Sequence, residues 1–135
     1  VRLDGTGNLM LNQVTVCMSD YDASFAFYEK LGLKAIVASK PDYARFETGG
    51  GATLSIHRDP DTQVAGSSHI YLECADLDAL VDRLSRDGFR FDHGPESQPW
   101  LWREARLRDP FGNMICLYRA GEYRRFPPWR IGGAG

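Results

Sequence analysis

The sequence predicts an α+β fold of two βαβββ modules related by a pseudo-twofold axis, with curved mixed sheets enclosing a cleft and the helices outside. Two observations predict it. The chain repeats its own pattern, and each copy changes from alternating to helical spacing of apolar residues at an aspartate, Asp20 or Asp76. Because one such unit cannot cover both faces of its own sheet, two copies are expected to pack around a shared cleft.

Each copy opens with a predicted strand. Val14 and Val16 alternate with the polar residues Gln13 and Thr15, and segment 69–72 alternates in the same way. A period of two places apolar side chains on one face of a sheet and polar ones on the other. The polar positions are therefore expected to face the cleft.

A helix is predicted after each of these strands. Asp20 and Asp76 stand where a side-chain oxygen can accept hydrogen bonds from the free backbone N–H groups of a helix start. Apolar residues then recur at helical spacing until Gly32 and Gly88. Glycine enters the left-handed conformation that ends a helix without a steric cost, so these two residues predict the helix ends.

Three further strands are expected to complete each copy. Thr48-Gly-Gly-Gly and Asp109-Pro-Phe-Gly have the composition of tight turns between the last two strands. The second copy has extra residues around 92–99, where His-Gly-Pro-Glu-Ser-Gln-Pro predicts a loop. The last two strands of the copies are predicted at 43–47 and 52–57, and at 100–108 and 113–119.

The expected organisation is one compact domain with short ends. It comprises a leader at 1–9, a first module at 10–58, a linker at 59–67, a second module at 68–119 and a tail at 120–135. The tail contains Phe126 and Trp129 beside a Pro-Pro pair. Docking of these rings, over the cleft or against a partner subunit, is favoured because exposed aromatic residues in one short segment would form a hydrophobic patch prone to association. A homodimer is one such arrangement, and a loosely attached end is the alternative.

Composition points away from several classes of protein. Sixteen basic and eighteen acidic residues give a net charge of -2, so no positive field attracts nucleic acid or anionic lipid. No apolar run approaches the roughly 18 to 20 residues that a membrane span needs. Three widely spaced cysteines predict no disulfide framework and favour the cytoplasm. The expected partner is a small molecule or another protein.

Two phrases carry a family resemblance: Asp20-Tyr-Asp-Ala-Ser-Phe-Ala-Phe-Tyr-Glu-Lys-Leu-Gly-Leu, and Arg106-Leu-Arg-Asp-Pro-Phe-Gly-Asn. Together with the order of elements they resemble the vicinal oxygen chelate superfamily, which includes glyoxalases, bleomycin-resistance proteins and extradiol dioxygenases. The resemblance extends over about residues 11–119. Because members with different activities share these phrases, the resemblance implies the fold more than the reaction.

The resemblance also implies where a metal site lies. In metal-using members the ligands come from the first and last strands of each unit, which correspond here to Gln13, Ser55, His69 and Cys116. Glyoxalase I-like sites use His or Gln, Glu, His and Glu in that order, so Ser55 and Cys116 stand in place of both carboxylates. Lactoylglutathione lyase activity is therefore not expected, and the two-histidine, one-glutamate iron site of extradiol dioxygenases is incomplete.

Two functional hypotheses follow, and a purely structural or adaptor protein is a third. In the first, a bleomycin-resistance-type protein binds an aromatic or amphipathic molecule without a metal. In the second, a lyase, isomerase or dioxygenase uses Zn, Fe, Ni or Mn held by Gln13, His69 and Cys116, with His57 as a further donor and Glu73 or Glu104 as acid or base. The predicted ligand-binding residues are Thr15, His57, Tyr71, Trp100, Trp102, Arg106 and Tyr118.

Each of these residues also has a structural interpretation. Tryptophans often fill barrel mouths or interfaces, and His57 can be a hydrogen-bonded strand end. Arg106 can serve only to pair with Glu104 or Glu73.

Overall fold

The structure is a computed structural model that describes residues 9–59 and 65–132. The chain divides after Ala65 into two compact units, and each contains one βαβββ module. The predicted α+β class and the two modules are thereby confirmed. Most of the predicted leader and residues 60–64 of the predicted linker lie outside the described residues. Neither helix in the described part is long and apolar enough to cross a membrane.

The first module contains a four-stranded mixed sheet and one helix. The strand order is β1-β4-β3-β2, with β1 parallel to β4 and the other neighbours antiparallel. The elements are β1 (Gln13–Met18), α1 (Tyr21–Leu31), β2 (Lys34–Ser39), β3 (Tyr43–Glu47) and β4 (Thr53–Arg58).

The ends of α1 are fixed as the sequence predicts. The Asp20 side chain accepts a hydrogen bond from the backbone N–H of Ala23 at 3.0 Å. Gly32 has a φ of 122° and ends the helix, and its N–H donates to the carbonyl of Glu29. Tyr28 is fully buried, and its ring lies 5.8 Å from that of Phe46 on β3. This packing seats the helix on one face of the sheet.

The second module repeats this arrangement. Its sheet has the order β5-β8-β7-β6, with β5 parallel to β8. Asp76 caps α2 by accepting from the N–H of Ala79 at 3.1 Å, and Gly88 follows the helix with a φ of 97°. The elements are β5 (His69–Glu73), α2 (Leu77–Arg86), β6 (Phe91–Ser97), β7 (Arg103–Arg108) and β8 (Met114–Arg119).

The loop predicted at 92–99 is wrong, because most of this segment is strand β6. Proline and glycine are tolerated there because β6 is an edge strand. An edge strand has a neighbouring strand on one side only, so the missing N–H of Pro95 removes no hydrogen bond from the centre of the sheet. The register of β6 on β7 shifts twice, between Phe91 and His93 and between His93 and Glu96. Strand β6 is one residue longer than β2, and the turn that follows it, at 98–102, is two residues longer than the turn at 40–42.

The strand predicted at 100–108 is also too long, since β7 begins at Arg103. The preceding residues form a tight turn in which Gln98 N–H donates to the Trp102 carbonyl at 2.7 Å and Leu101 has a φ of 70°. Trp100 and Leu101 are therefore displayed at the tip of the β6–β7 hairpin.

The Asp109-Pro-Phe-Gly turn is confirmed and is held by a buried carboxylate. Asp109 accepts hydrogen bonds from the backbone N–H groups of Phe111 and Asn113 and from the Asn113 side-chain amide. Gly112, with a φ of 85°, donates to the Asp109 carbonyl at 2.9 Å. The aspartate thus satisfies the free backbone donors of the turn.

The described residues of this chain do not cover the tail rings, and docking of these rings against a partner subunit stays a prediction. Phe126 is 50% exposed and Trp129 58% exposed. The tail instead folds on itself, with the guanidinium carbons of Arg125 and Arg130 at 5.0 and 4.5 Å from the centre of the Phe126 ring. These cation–π contacts give the exposed Phe126 ring some of the contacts that packing against a protein surface would provide.

Candidate functional site

The predicted site residues of the first module share one face of its sheet. Phe46 of β3 contacts α1, and its cross-strand neighbour Leu54 is buried on the same side. Side chains alternate along a strand, so the neighbouring positions point to the opposite face. That face carries Gln13, Thr15, Ser55 and His57, of which Thr15 pairs with Ser55.

A hydrogen-bonded triad occupies the centre of this face. The hydroxyls of Tyr43 and Ser55 lie 2.7 Å apart, and Nε of Arg45 donates to the Tyr43 hydroxyl at 2.9 Å. The hydrogen bond with Ser55 lowers the pKa of the Tyr43 phenol, and Arg45 acts in the same direction against the opposing effect of burial. Ser55 is fully buried, so its hydroxyl is committed to this contact.

The predicted residues of the second module also share one face. Arg103 contacts Asp78 on α2 at 3.1 Å, so the odd-numbered positions of β7 face the helix and Glu104 and Arg106 face away from it. Cys116 is the cross-strand neighbour of both Tyr71 and Arg106. The face opposite α2 carries His69, Tyr71, Glu73, Trp102, Glu104, Arg106, Cys116 and Tyr118.

A second triad lies at the centre of this face. The Cys116 thiol donates to one oxygen of Glu104 at 2.9 Å, and Nη2 of Arg106 lies 3.3 Å from the other oxygen. Glu104 is 1% exposed and Cys116 fully buried. Burial, followed by the hydrogen bond and charge of Glu104, raises the pKa of the Cys116 thiol to about 12. The sulfur therefore stays protonated at neutral pH.

The two triads are equivalent in the repeat. The alignment that places Arg45 on Arg106 and Ser55 on Cys116 also places Tyr43 on Glu104. In each module, the candidate ligand position on the last strand is hydrogen bonded to a side chain of the preceding strand, and an arginine two residues further on holds that side chain. Sequence reasoning missed the part played by Tyr43 and Arg45, although the internal alignment contained the signal.

The four residues that the resemblance places at a metal do not fit a divalent cation. Besides the Ser55 and Cys116 contacts, the amide oxygen of Gln13 accepts from the Thr53 hydroxyl at 2.7 Å. His69 is an ordinary metal donor, but none of the four residues supplies the thiolate or carboxylate that would add anionic charge to retain a divalent cation. Within residues 9–59 and 65–132, neither module gathers three His, Cys, Asp or Glu side chains in a metal-holding group.

Three aromatic rings form a cluster beside the second triad. The rings of Trp102 and Tyr118 stack with centroids 4.5 Å apart and planes 16° apart. Tyr71 meets both edge-on at 6.2 and 6.1 Å, and is 46% exposed. Trp102 also lines a cavity of about 400 Å³ within the second module. We call Tyr71, Trp102 and Tyr118 the aromatic cluster.

Glu73, one of the two candidate acid–base residues, lies outside the triad and is held by contacts of its own. One oxygen of Glu73 accepts the backbone N–H groups of Ala120 and Gly121 at 2.9 Å each, and the other lies 3.8 Å from Nε of Arg124. Glu73 thereby ties β5 to the start of the tail. His57 and His69 are exposed, and Trp100 is 41% exposed at the hairpin tip.

The burial of Cys116 predicts the thiol chemistry of the chain. All three cysteines are free, and Cys17 and Cys74 are half-buried. We expect at most two thiols to react with Ellman's reagent under native conditions and the third only in denaturant, because a buried neutral thiol is a poor nucleophile. A Cys116→Ala variant should show the same native count as the wild type. Loss of a natively reactive thiol in that variant would contradict the buried position of Cys116.

Comparison with known proteins agrees with this architecture. The model of the glyoxalase/bleomycin resistance protein/dioxygenase superfamily matches residues 10–117. The uncharacterized protein YraH of Bacillus subtilis (strain 168) is 25% identical in an alignment of 126 positions, which covers 82% of this chain and 98% of YraH.

Two solved structures are similar as well. The bleomycin-binding protein of Streptomyces verticillus, complexed with copper(II)-bleomycin, is 25% identical with a TM-score of 0.71, over 85% of this chain and 98% of that one. A glyoxalase/bleomycin resistance protein/dioxygenase from Nocardioides is 20% identical with a TM-score of 0.75, over 96% and 93% of the two chains. From the family match over most of its length, the chain belongs to the glyoxalase/bleomycin resistance protein/dioxygenase superfamily.

Proposed function

We propose that this protein binds a small aromatic or amphipathic molecule against the aromatic cluster of its second module, and that binding requires no metal. The observation that carries the proposal is the stacked pair of Trp102 and Tyr118 beside a cavity of about 400 Å³. Ligand sites in proteins are typically clefts of this size with aromatic walls and a few polar groups. Offset and edge-on ring contacts contribute roughly 0.5–1.5 kcal/mol each beyond burial.

The exposed part of the cluster is what a ligand can reach. Tyr71 is 46% exposed although it touches two other rings, so it presents apolar surface that the described residues leave uncovered. An aromatic ligand laid on Tyr71 or on the cavity side of Trp102 extends an existing set of ring contacts. The stacking of Trp102 on Tyr118 holds these rings in place before binding, which reduces the entropy lost when a ligand is bound.

The chemistry of the triads supports binding without a metal. Glu104, a buried carboxylate on this face, is already engaged by the Arg106 guanidinium and the Cys116 thiol. A divalent ion at Cys116 would have to displace the thiol proton and break the contact with Glu104. A metal-dependent lyase, isomerase or dioxygenase is the alternative function, and ligand binding that requires an added metal would support it. The relative from Streptomyces verticillus, which binds a small molecule, supports the same class of function.

Calorimetric titration tests the proposal. The full chain, treated with EDTA and then dialysed, is titrated with a panel of aromatic probes that includes indole and indole-3-acetate, and with cyclohexanol as a non-aromatic control. We expect saturable binding of aromatic probes at one site per chain, weaker or absent binding of cyclohexanol, and unchanged affinity after addition of Zn²⁺ or Mn²⁺. Binding that requires the added metal, or no binding of any aromatic probe, would overturn the proposal.

A further inference from the structure

Two arginines lie side by side in the wall of the cavity that Trp102 borders. Arg103 begins β7, Arg119 ends β8, and the two are direct cross-strand neighbours. Like charges at directly opposed positions of a sheet repel each other and destabilise the pair unless something neutralises them. The two arginines therefore require negative charge nearby, from the protein or from a ligand.

The described residues neutralise one of the two charges, that of Arg103. The guanidinium of Arg103 contacts both carboxylate oxygens of Asp78, at 3.1 and 3.4 Å, and also donates to the Ser97 hydroxyl at 3.2 Å. Arg119 is exposed and has no ionic partner among residues 9–59 and 65–132. Among the described residues, the cavity lining thus has one cation paired with a carboxylate, Arg103, and a second without such a partner, Arg119.

The rest of the lining adds an apolar surface and neutral polar groups. Trp102, Tyr123 and Leu101 supply two rings and an aliphatic side chain, and Ser97 and Gln98 supply hydrogen-bonding groups. A flat apolar wall next to a planar guanidinium matches a molecule in which an aromatic ring is attached to a carboxylate, because arginine can pair with a carboxylate through two parallel hydrogen bonds.

The backbone beside the cavity is also held in an unusual conformation. Leu101 has a φ of 70°, and within the described chain it is alone among non-glycine residues in having a positive φ. Its N–H donates to the Gln98 carbonyl at 3.0 Å, which helps hold the turn. A residue kept in the left-handed region costs about 1 kcal/mol or more, and such residues concentrate at ligand sites.

We infer that the cavity is a site for an aromatic carboxylate, with the ring against Trp102 and the carboxylate paired with Arg119. This inference rests on the proposed function, which it deepens by naming the class of ligand. Arg103 contributes positive potential, but Asp78 already occupies its guanidinium. Arg119 is therefore the residue that distinguishes an acid from a neutral molecule of the same shape.

A matched pair of probes separates the two ideas. Indole-3-acetate and indole-3-acetamide have nearly the same shape and differ in charge, and both are titrated by calorimetry into the full chain. The variants are Arg119→Gln and, as the control for the loss of one positive charge in the same module, Arg90→Gln, which changes an exposed residue outside the cavity lining. We expect the acetate to bind about tenfold more tightly than the acetamide, as one additional charge-assisted contact would produce.

This preference should persist in Arg90→Gln, disappear in Arg119→Gln and shrink as salt is raised. Equal affinity of the two probes for the wild type would overturn the inference while leaving the proposed function in place. A preference that survives in Arg119→Gln would overturn it too. Absence of binding by both probes would overturn the inference, and the proposed function as well if the other aromatic probes also fail to bind.

Discussion

Replacement of Glu104 by alanine is expected to lower the free energy of unfolding by about 2 kcal/mol, because it removes a buried carboxylate that a half-buried guanidinium and a buried thiol contact. The Glu104 side chain is 2% exposed and contacts both Arg106 and Cys116. Its removal takes the carboxylate partner away from the Arg106 guanidinium. Nε of that guanidinium is already buried with no hydrogen-bond partner in the described part of the chain. Urea denaturation monitored by circular dichroism measures the change.

Two further variants give this prediction its controls. Glu104→Gln keeps the shape but not the charge, so its loss of stability should be smaller than that of Glu104→Ala. Tyr43→Phe removes the equivalent group of the first module, whose contacts include no buried carboxylate, and should cost about 1 kcal/mol. A Glu104→Ala protein within about 0.5 kcal/mol of the wild type would show that the second triad does not stabilise the fold.

Replacement of Trp102 by leucine is expected to weaken the binding of aromatic probes at least tenfold. The ring stacks on Tyr118, meets Tyr71 edge-on and lines the cavity, so leucine removes both a ligand-facing surface and the support of the neighbouring rings. Calorimetric titration with indole-3-acetate measures the change in affinity, and thermal unfolding of the free variant reports its stability separately.

Trp129→Leu is the matched control for this substitution. Trp129 is 58% exposed in the tail and does not line the cavity. Its replacement should leave probe affinity within about twofold of the wild type, since a change at a site remote from the ligand seldom couples to binding. Equal losses of affinity in the two variants would place the site elsewhere.

Local signals in the sequence were sufficient to predict the helices and most turns. Asp20 and Asp76 cap the helices with their own side chains, and the Asp109 turn is held by bonds within five residues. Such interactions are determined by neighbouring residues, so composition and spacing reveal them. The internal repeat then supplied the number and order of the elements.

The errors arose where tertiary context decides the conformation. Segment 91–97 has the composition of a loop, yet it pairs with β7 because an edge strand tolerates proline and irregular register. The contacts of Arg125 and Arg130 with the Phe126 ring were not predicted either. Neither outcome can be predicted from the local residues alone.

The candidate site was predictable in part. Alternation along the strands placed Glu104, Arg106 and Cys116 on one face, as the structure has them. The cavity beside Trp102 was not predicted, because Arg103 and Arg119 meet only through the cross-strand register at the end of the sheet. The Asp109 turn fixes that register, but the β6–β7 turn and the tail, which complete the lining with Leu101 and Tyr123, have no such local signal.

Binding without a metal is proposed because uncharged side chains occupy the positions where metal-using members of the superfamily carry ligands. Elemental mass spectrometry of protein purified without chelators tests this directly, with His69→Ala prepared in parallel. We expect far less than one divalent ion per chain in both preparations. One tightly held ion per wild-type chain that is lost in His69→Ala would contradict it.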